Sequence, residues 1–266
     1  MPELPEVETI VRQLNKKVRG KTIKSINNLD SKVVDPKILR ILPVKIINIK
    51  RRGKLIIIEL SNNQFLLTHL RMTGHFQYFL KNNFLNDQKF VVAKFNFDDG
   101  SSLTHNSIRK FGGIKLLDKE KLDLEISKLG VEPLGVAFTL KKFNELLLKK
   151  SKSNIKTILL NQSLIAGIGN IYAQEALYFV GINPQKKASE LSLLKIKQLH
   201  AEIIRMLKFA IQKKGSTVNN YTNMGGAGGY QNYLAIYNKK ECPKKHKLEK
   251  INLGGRGTYF CPVCQR

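Results

Sequence analysis

The sequence predicts an α+β protein in three parts: an N-terminal antiparallel β domain carrying one helix, a helical domain, and a short C-terminal hairpin built around a metal. Three observations lead there. Short β-branched and apolar runs separated by turn residues continue to about Lys119, the apolar period becomes helical after Leu129, and the three cysteines all fall at 242, 261 and 264. A chain of 266 residues suits one large domain, or two with a small appendage.

The first helix is predicted from Pro5 to Arg19, where Val7, Ile10, Val11, Leu14 and Val18 repeat at helical spacing. Pro5 suits its first position, Glu6 and Glu8 suit its positive end, and Gly20 ends it. Strands follow at Val44–Ile49, Leu55–Leu60, Phe65–Leu70 and Phe90–Phe97, with Asn62-Asn63 and Asp98-Asp99-Gly100 as turns. Beyond Leu129, Thr139 can cap a helix carrying Phe143, Leu146 and Leu147, and further helical segments are predicted at about 154–161, 170–180 and 189–214. Met224-Gly225-Gly226-Ala227-Gly228-Gly229 has too little side chain to pack and is expected to be a mobile loop.

The chain has 46 Lys or Arg against 20 Asp or Glu, a formal charge of +26. That excess favours a polyanionic partner, because neutralising phosphates releases condensed counterions. Only 10 of the 46 cations are Arg, so a compositional bias toward Lys is an alternative source of the charge. An odd number of cysteines confined to the last 25 residues excludes a disulfide framework and points to a reducing compartment or a metal site. No apolar run is long enough to span a bilayer and the opening MPELPEVE is not signal-like, so a soluble, cytoplasmic protein is expected.

Cys261-Pro-Val-Cys264 is a C-x-x-C pair able to chelate one tetrahedral zinc, and Cys242 and His246 offer the second pair. Gly254-Gly255-Arg256-Gly257 between them allows two short strands and a tight turn. The competing reading has Cys242 as a lone thiol, His246 on the surface and a metal-free hairpin; a stretch this short and basic lacks a core of its own, which favours zinc.

Six stretches carry a more specific signal. Pro2-Glu3-Leu4-Pro5-Glu6-Val7-Glu8, Arg51-Arg52-Gly53-Lys54, His69-Leu70-Arg71-Met72, Arg109-Lys110-Phe111-Gly112, Gly167-Ile168-Gly169-Asn170-Ile171-Tyr172 and Gly254-Gly255-Arg256-Gly257 span nearly the whole chain. In residue type and order they resemble the motifs of the bacterial formamidopyrimidine-DNA glycosylases. The resemblance implies a bifunctional base-excision enzyme that removes oxidised purines (8-oxoguanine, formamidopyrimidines) from duplex DNA and then nicks the strand. It implies a β-sandwich with the N-terminal helix at 1–128, a helix–two-turn–helix domain at 129–225 and a zinc finger at 226–266. It also implies a cytoplasmic monomer, associated with the nucleoid through its substrate, with one structural zinc.

The same resemblance assigns roles. Removal of Met1 would expose Pro2 as a secondary amine of pKa roughly 8, partly neutral and nucleophilic at cell pH. Glu3 is then the acid assisting sugar-ring opening or base departure, Glu6 a support that positions the amine by hydrogen bonding, Lys54 a proton donor acting on phosphate or base during elimination, and Arg256 the holder of a lesion-flanking phosphate with a part in δ-elimination. Met72, Arg109 and Phe111 match the trio that fills the hole left by an everted nucleotide, an eversion that costs a few kcal/mol. His69, Lys152, Lys156 and Asn170 match or neighbour phosphate-holding positions, and Asn170 is also expected to cap its helix. The Gly-rich 215–230 stretch corresponds to the element that closes over the everted base.

Three places depart from the family pattern. The fourth finger cysteine is absent, with Lys245 or His246 in its place; a phosphate-contacting histidine stretch is reduced to Gln88-Lys89-Phe90-Val91; and Thr73 replaces the acid that often follows the wedge methionine. His75, His105 and His200 receive no role. An endonuclease VIII-like enzyme for oxidised pyrimidines is the nearest rival, against which Leu4-Pro5-Glu6-Val7-Glu8 argues. A catalytically silent DNA binder on the same scaffold and a zinc-ribbon RNA or ribosomal protein are the others; the last leaves the N-terminal motif unexplained.

Overall fold

The computed structural model describes residues 1–27, 29–81, 90–217, 224 and 226–266. The chain divides by its contacts into two compact units, Met1–Ser127 with Lys214–Gly229, and Lys128–Lys213 with Tyr230–Arg266. This cut is coarser than the three parts expected from sequence and joins 214–229 to the first unit.

The first unit opens with α1 (Leu4–Val18), followed by β1 (Thr22–Asn27), β2 (Val44–Arg52), β3 (Leu55–Leu60), β4 (Phe65–His69), β5 (His75–Phe79), β6 (Val91–Phe97), β7 (Ser102–Asn106), β8 (Gly113–Leu117) and α2 (Lys119–Ser127). Helix α1 starts one residue earlier than predicted, so Pro5 is its second residue, a place where a missing N–H also costs nothing. The strands form one antiparallel sheet in the order β5-β7-β6-β1-β2-β3-β4-β8. Among the described residues its two halves are joined strand to strand by a short β1–β2 pairing, Thr22↔Lys45 and Ile23↔Val44, and share one core. Val7, Ile10, Val11 and Leu14 of α1 join Ile46, Ile56, Ile58, Phe76, Val92, Phe95 and Leu103 from both halves in one buried core. Burying each such side chain contributes roughly 1.5–3 kcal/mol, which is why the helical stripe outweighs the ordinary propensities of the residues around it. Four strands, β1, β5, β7 and β8, are not individually legible in the sequence. Three of them carry polar residues among their apolar ones: Lys24, Ser25 and Asn27 in β1, His75 and Gln77 in β5, and Ser102, Thr104, His105 and Asn106 in β7.

His105 on β7 is fully buried, its ring 5.1 Å from that of Phe76, and neither ring nitrogen has a partner among the described residues. Burial, helped by nearby His75, pushes its pKa down from 6.5 to about 3. The folded state thus keeps His105 neutral while the unfolded chain protonates below its ordinary pKa. Its stabilising contribution is complete above that value and is lost as pH falls toward about 3, at about 1.4 kcal/mol per pH unit. The expected result is a melting temperature that drops between pH 7 and pH 5, and drops less in His105→Leu; an equal drop in both proteins would refute the assignment.

The second unit contains α3 (Leu140–Lys149), α4 (Ile155–Leu160), α5 (Asn170–Val180), α6 (Leu193–Gln212), β9 (Glu249–Leu253) and β10 (Arg256–Phe260). Thr139 caps α3 as expected, its hydroxyl accepting from the Lys142 N–H at 3.1 Å. Asn170 does not cap α5; Gly169 holds that position and Asn170 is the first helical residue, which frees its side chain for other work. Helix α6 is shorter than predicted because a 3-10 turn, Ala188–Glu190, precedes it and Ser192 caps it. Among the described residues no helix is long and apolar enough to cross a membrane.

Candidate active site and zinc centre

In the first unit, Pro2, Glu3, Glu6 and Lys54 are all buried. The Glu6 carboxylate accepts from the Glu3 N–H at 2.8 Å and, with its other oxygen, from the Ser216 N–H at 2.7 Å. One side chain therefore holds both the backbone next to Pro2 and the start of the Gly-rich stretch. Residues 218–223 and 225 of that stretch, and Gln88 and Lys89, lie outside the described residues.

Lys54 sits in the turn between β2 and β3. Arg51 donates to the Gly53 carbonyl at 3.0 Å and to Glu8 of α1 at 3.0 Å, so one guanidinium ties the lysine turn to the helix that begins beside Pro2. Burial pushes the Glu8 carboxyl up, but hydrogen bonds from Arg12 and Arg51 outweigh it and hold its pKa below the usual value. The sequence places Glu8 at the positive end of the helix and Arg51 in a motif, but the tie between them has no sign in it, because in a helix–strand pair their charges look like ordinary solvated ends.

His69 ends β4, and its Nδ1 accepts from the Arg71 N–H at 2.9 Å, leaving Nε2 as the donor of a neutral ring. Burial, with Arg71 and Lys54 nearby, lowers its pKa from 6.5 to about 4. Arg71 and Lys110 are both left-handed, with φ of 52° and 50°, at the two loops that carry Met72, Arg109 and Phe111. Such strain costs about 1–3 kcal/mol per residue and persists where the surroundings impose it. The loops approach so closely that a Cβ at Gly112 would lie 2.3 Å from the His69 carbonyl oxygen. Across them the Arg109 N–H donates to Thr73 Oγ1 at 3.0 Å, Arg109 Nη1 lies 3.2 Å from Met72 Sδ, and its guanidinium lies 4.7 Å from the Phe111 ring centre. Met72 and Phe111 are exposed, 43% and 61%, which is unusual for such apolar side chains and places the trio outward as one cluster.

In the second unit, Arg256 is exposed at the start of β10, after a turn whose Gly254 and Gly255 take φ of 60° and 70°. The hairpin behind it is fastened to α5. Asn170 Nδ2 donates to the Gly257 carbonyl at 3.0 Å, and Gln174 accepts from the Tyr259 N–H at 2.6 Å. Lys156, fully buried, donates to Thr258 Oγ1, and Lys152 is exposed in the turn before α4. Glu175 accepts from the N–H groups of Ala235, Ile236 and Tyr237 at 2.7 to 3.0 Å, fixing the segment that leads into the hairpin. A Gln-Glu pair inside the otherwise apolar α5 was the available sign of these two ties.

Cys242, His246, Cys261 and Cys264 each turn one ligand atom into a cluster whose members lie within 4.8 Å of one another. His246 Nδ1 is 3.2 Å from Cys264 Sγ, 3.7 Å from Cys242 Sγ and 3.8 Å from Cys261 Sγ. Tetrahedral zinc with usual bond lengths puts N and S ligands about 3.6 Å apart, so the donor set and its spacing fit zinc. Lys245 is left-handed, φ 64°, and the turn it makes, with its N–H donating to the Cys242 carbonyl at 2.8 Å, brings His246 rather than Lys245 inward. Gln265, buried, braces the cluster by accepting from the Cys261 N–H and donating to the Ile182 carbonyl, both at 2.8 Å.

Comparison with known proteins covers the whole chain. Family models described as the formamidopyrimidine-DNA glycosylase N-terminal domain, the H2TH domain of the same glycosylases, and a zinc finger found in FPG and IleRS match residues 1–114, 129–222 and 245–266. The formamidopyrimidine-DNA glycosylase of Streptococcus mutans is 42% identical and that of Exiguobacterium sibiricum 39%, with 100% of this chain and at least 99% of each relative covered. Among solved structures, a Lactococcus lactis FPG mutant in complex with Fapy-dG containing DNA superposes with a TM-score of 0.92 at 36% identity, covering 100% of both chains. The Lactococcus lactis Fpg with abasic-site DNA gives 0.91 at 36% identity over 99% of both. Similarity of this extent and level defines the class as a zinc-finger DNA glycosylase of base-excision repair. Within that class, the chain belongs to the formamidopyrimidine-DNA glycosylase family. It carries one structural zinc site of the Cys3His type.

Proposed function

We propose that this chain excises oxidised purines, 8-oxoguanine and formamidopyrimidines, from duplex DNA through a Schiff base on Pro2 and then cleaves the strand by β- and δ-elimination. The observation that carries the reading is the buried Glu3–Glu6 arrangement beside Pro2, tied through Glu8 and Arg51 to the turn bearing Lys54. The similar Lactococcus lactis protein, bound to Fapy-dG containing DNA, supports the lesion class.

The Pro2 nitrogen lone pair forms a bond to C1′ as the glycosidic bond breaks and the base leaves with a proton. Glu3 delivers a proton to the ring oxygen, and the opened sugar becomes an iminium. That cation withdraws electrons, so the C2′ proton is lost and the 3′ C–O bond breaks with the phosphate as leaving group. A second elimination expels the 5′ phosphate, with Lys54 donating a proton. Water then returns the free amine. Arg256, held by the Asn170 and Gln174 ties to its strand, binds the phosphate flanking the lesion, and His69, Lys152 and Asn170 hold the backbone. Lys156, fully buried against Thr258, acts as a support of the hairpin rather than as a phosphate contact. Met72, Arg109 and Phe111 fill the vacated stack. The zinc supplies the fixed fold of the hairpin that presents Arg256. In this reading 1–128 is the catalytic domain, 129–225 binds DNA, 226–266 is the zinc finger, the 215–230 stretch closes over the everted base, and the protein is a cytoplasmic monomer associated with the nucleoid.

The test is incubation with a duplex carrying 8-oxoguanine opposite cytosine, borohydride reduction, and mapping of the cross-link by mass spectrometry. A reduced adduct on the Pro2 nitrogen supports the reading. Trapping only with oxidised-pyrimidine duplexes would replace it with the endonuclease VIII-like alternative.

Thr73 gives a finer test. Losing its acceptor frees the Arg109 backbone, so Thr73→Val is expected to reduce discrimination between bases opposite the lesion by about fivefold while Thr73→Ser retains it. Equal discrimination in all three proteins would remove Thr73 from the assembly of the trio.

A further inference from the structure

Helices α3 and α6 are in contact and bury Phe143, Leu146, Leu147, Ile196, Leu199 and Ile203, yet their first turns turn apolar side chains outward. Leu193 is 75% exposed, Leu194 64% and Leu140 38%. Together with Ile196, Asn144, Lys141 and Lys197 they line an open cleft of about 440 Å³. Scattered exposed leucines need no explanation, but three gathered around one concavity do.

We propose that this cleft docks a short acidic segment of a partner protein bearing bulky apolar side chains. The leucine lining calls for apolar anchors. The charge calls for acid: Lys141 and Lys197 form no ion pair with any described residue, no acidic side chain lines the cleft, and neither helix has an acidic residue in its first turn. Single-stranded nucleic acid fits poorly, because base stacking needs aromatic platforms and the cleft has none. A second copy of this chain fits poorly as well, since a protein of charge +26 would bring like charge to a cationic rim. This inference rests on no part of the proposed reaction.

The experiment uses the full-length protein and a fluorescein-labelled peptide, Glu-Asp-Asp-Leu-Leu-Phe, followed by fluorescence anisotropy. Saturable binding is expected, weakened about tenfold or more by Leu194→Ser and by Lys197→Glu, and abolished when the peptide's apolar residues become Ser. Leu194 and Lys197 lie at the surface, and unchanged circular dichroism will show that the substituted proteins fold. Absence of saturable binding, or wild-type affinity in both substituted proteins, would overturn the proposal. So would a lesion-free duplex that displaces the peptide, if its own affinity falls in the same two variants, because the cleft would then be a nucleic-acid site. Sedimentation showing a dimer that Leu194→Ser dissociates would assign the cleft to self-association instead.

Discussion

Replacing Pro2 by Gly is expected to lower the rate of borohydride-trapped adduct formation on 8-oxoguanine duplex by about 100-fold or more. Glycine retains an amine, so the loss comes from two properties of proline. A secondary amine gives an iminium that is cationic without further protonation, and the ring restricts the direction of the lone pair. The first property governs the elimination steps and the second governs attack at C1′. Binding to the same duplex should change little, since Pro2 is one contact among many along the backbone. Measuring both quantities separates the outcomes: near wild-type trapping by Pro2→Gly would place the nucleophile elsewhere, whereas parallel loss of binding would point to a disturbed helix entry. Glu6 gives the reason that entry is well defined, because its carboxylate holds the Glu3 N–H and the Ser216 N–H together.

Removing a zinc ligand is the second large effect. The metal-binding hairpin has few buried apolar residues of its own, with Cys242, Leu248 and Cys261 packing on Tyr178, Ala235 and Ile236. Binding free energy of the metal is therefore largely folding free energy of the segment, of order 10 kcal/mol or more in comparable fingers. Cys261→Ser is expected to take bound zinc well below one per chain and to weaken DNA binding by more than tenfold through loss of the ordered Arg256 turn. His246→Ala should lower zinc content less, because three thiolates remain, and His246→Cys should restore it. Zinc measured by atomic emission on dialysed protein decides this. Full occupancy in His246→Ala would take His246 out of the ligand set despite its 3.2 Å approach to Cys264 Sγ.

Much of the candidate site was legible from residue order and from the resemblance it carries. The C-x-x-C pair, the Pro-Glu opening and the glycine-bracketed arginine each require particular residue types, and such requirements survive in a linear reading. The ties that hold those groups were not legible. Glu8 and Arg51 are separated by 43 residues, Thr73 and Arg109 by 36, and Gln174 and Tyr259 by 85. Each partner taken singly is a common surface residue, and only the folded chain brings the two together. Asn170 shows the same point in reverse, since a residue type favoured at helix caps is instead the first helical residue and donates across to Gly257.

The sequence by itself determined the α+β class and the apolar stripe of α1, because these depend on local periodicity, and the resemblance of its motifs pointed to the family and to candidate roles for Pro2, Glu3, Lys54 and the cysteines. Tertiary structure alone decided the outward cluster of Met72, Arg109 and Phe111, the burial of His105 and the joining of 214–229 to the first unit. Those outcomes depend on which distant backbone segments exclude water together, and that is a property of packing in three dimensions that no local pattern carries.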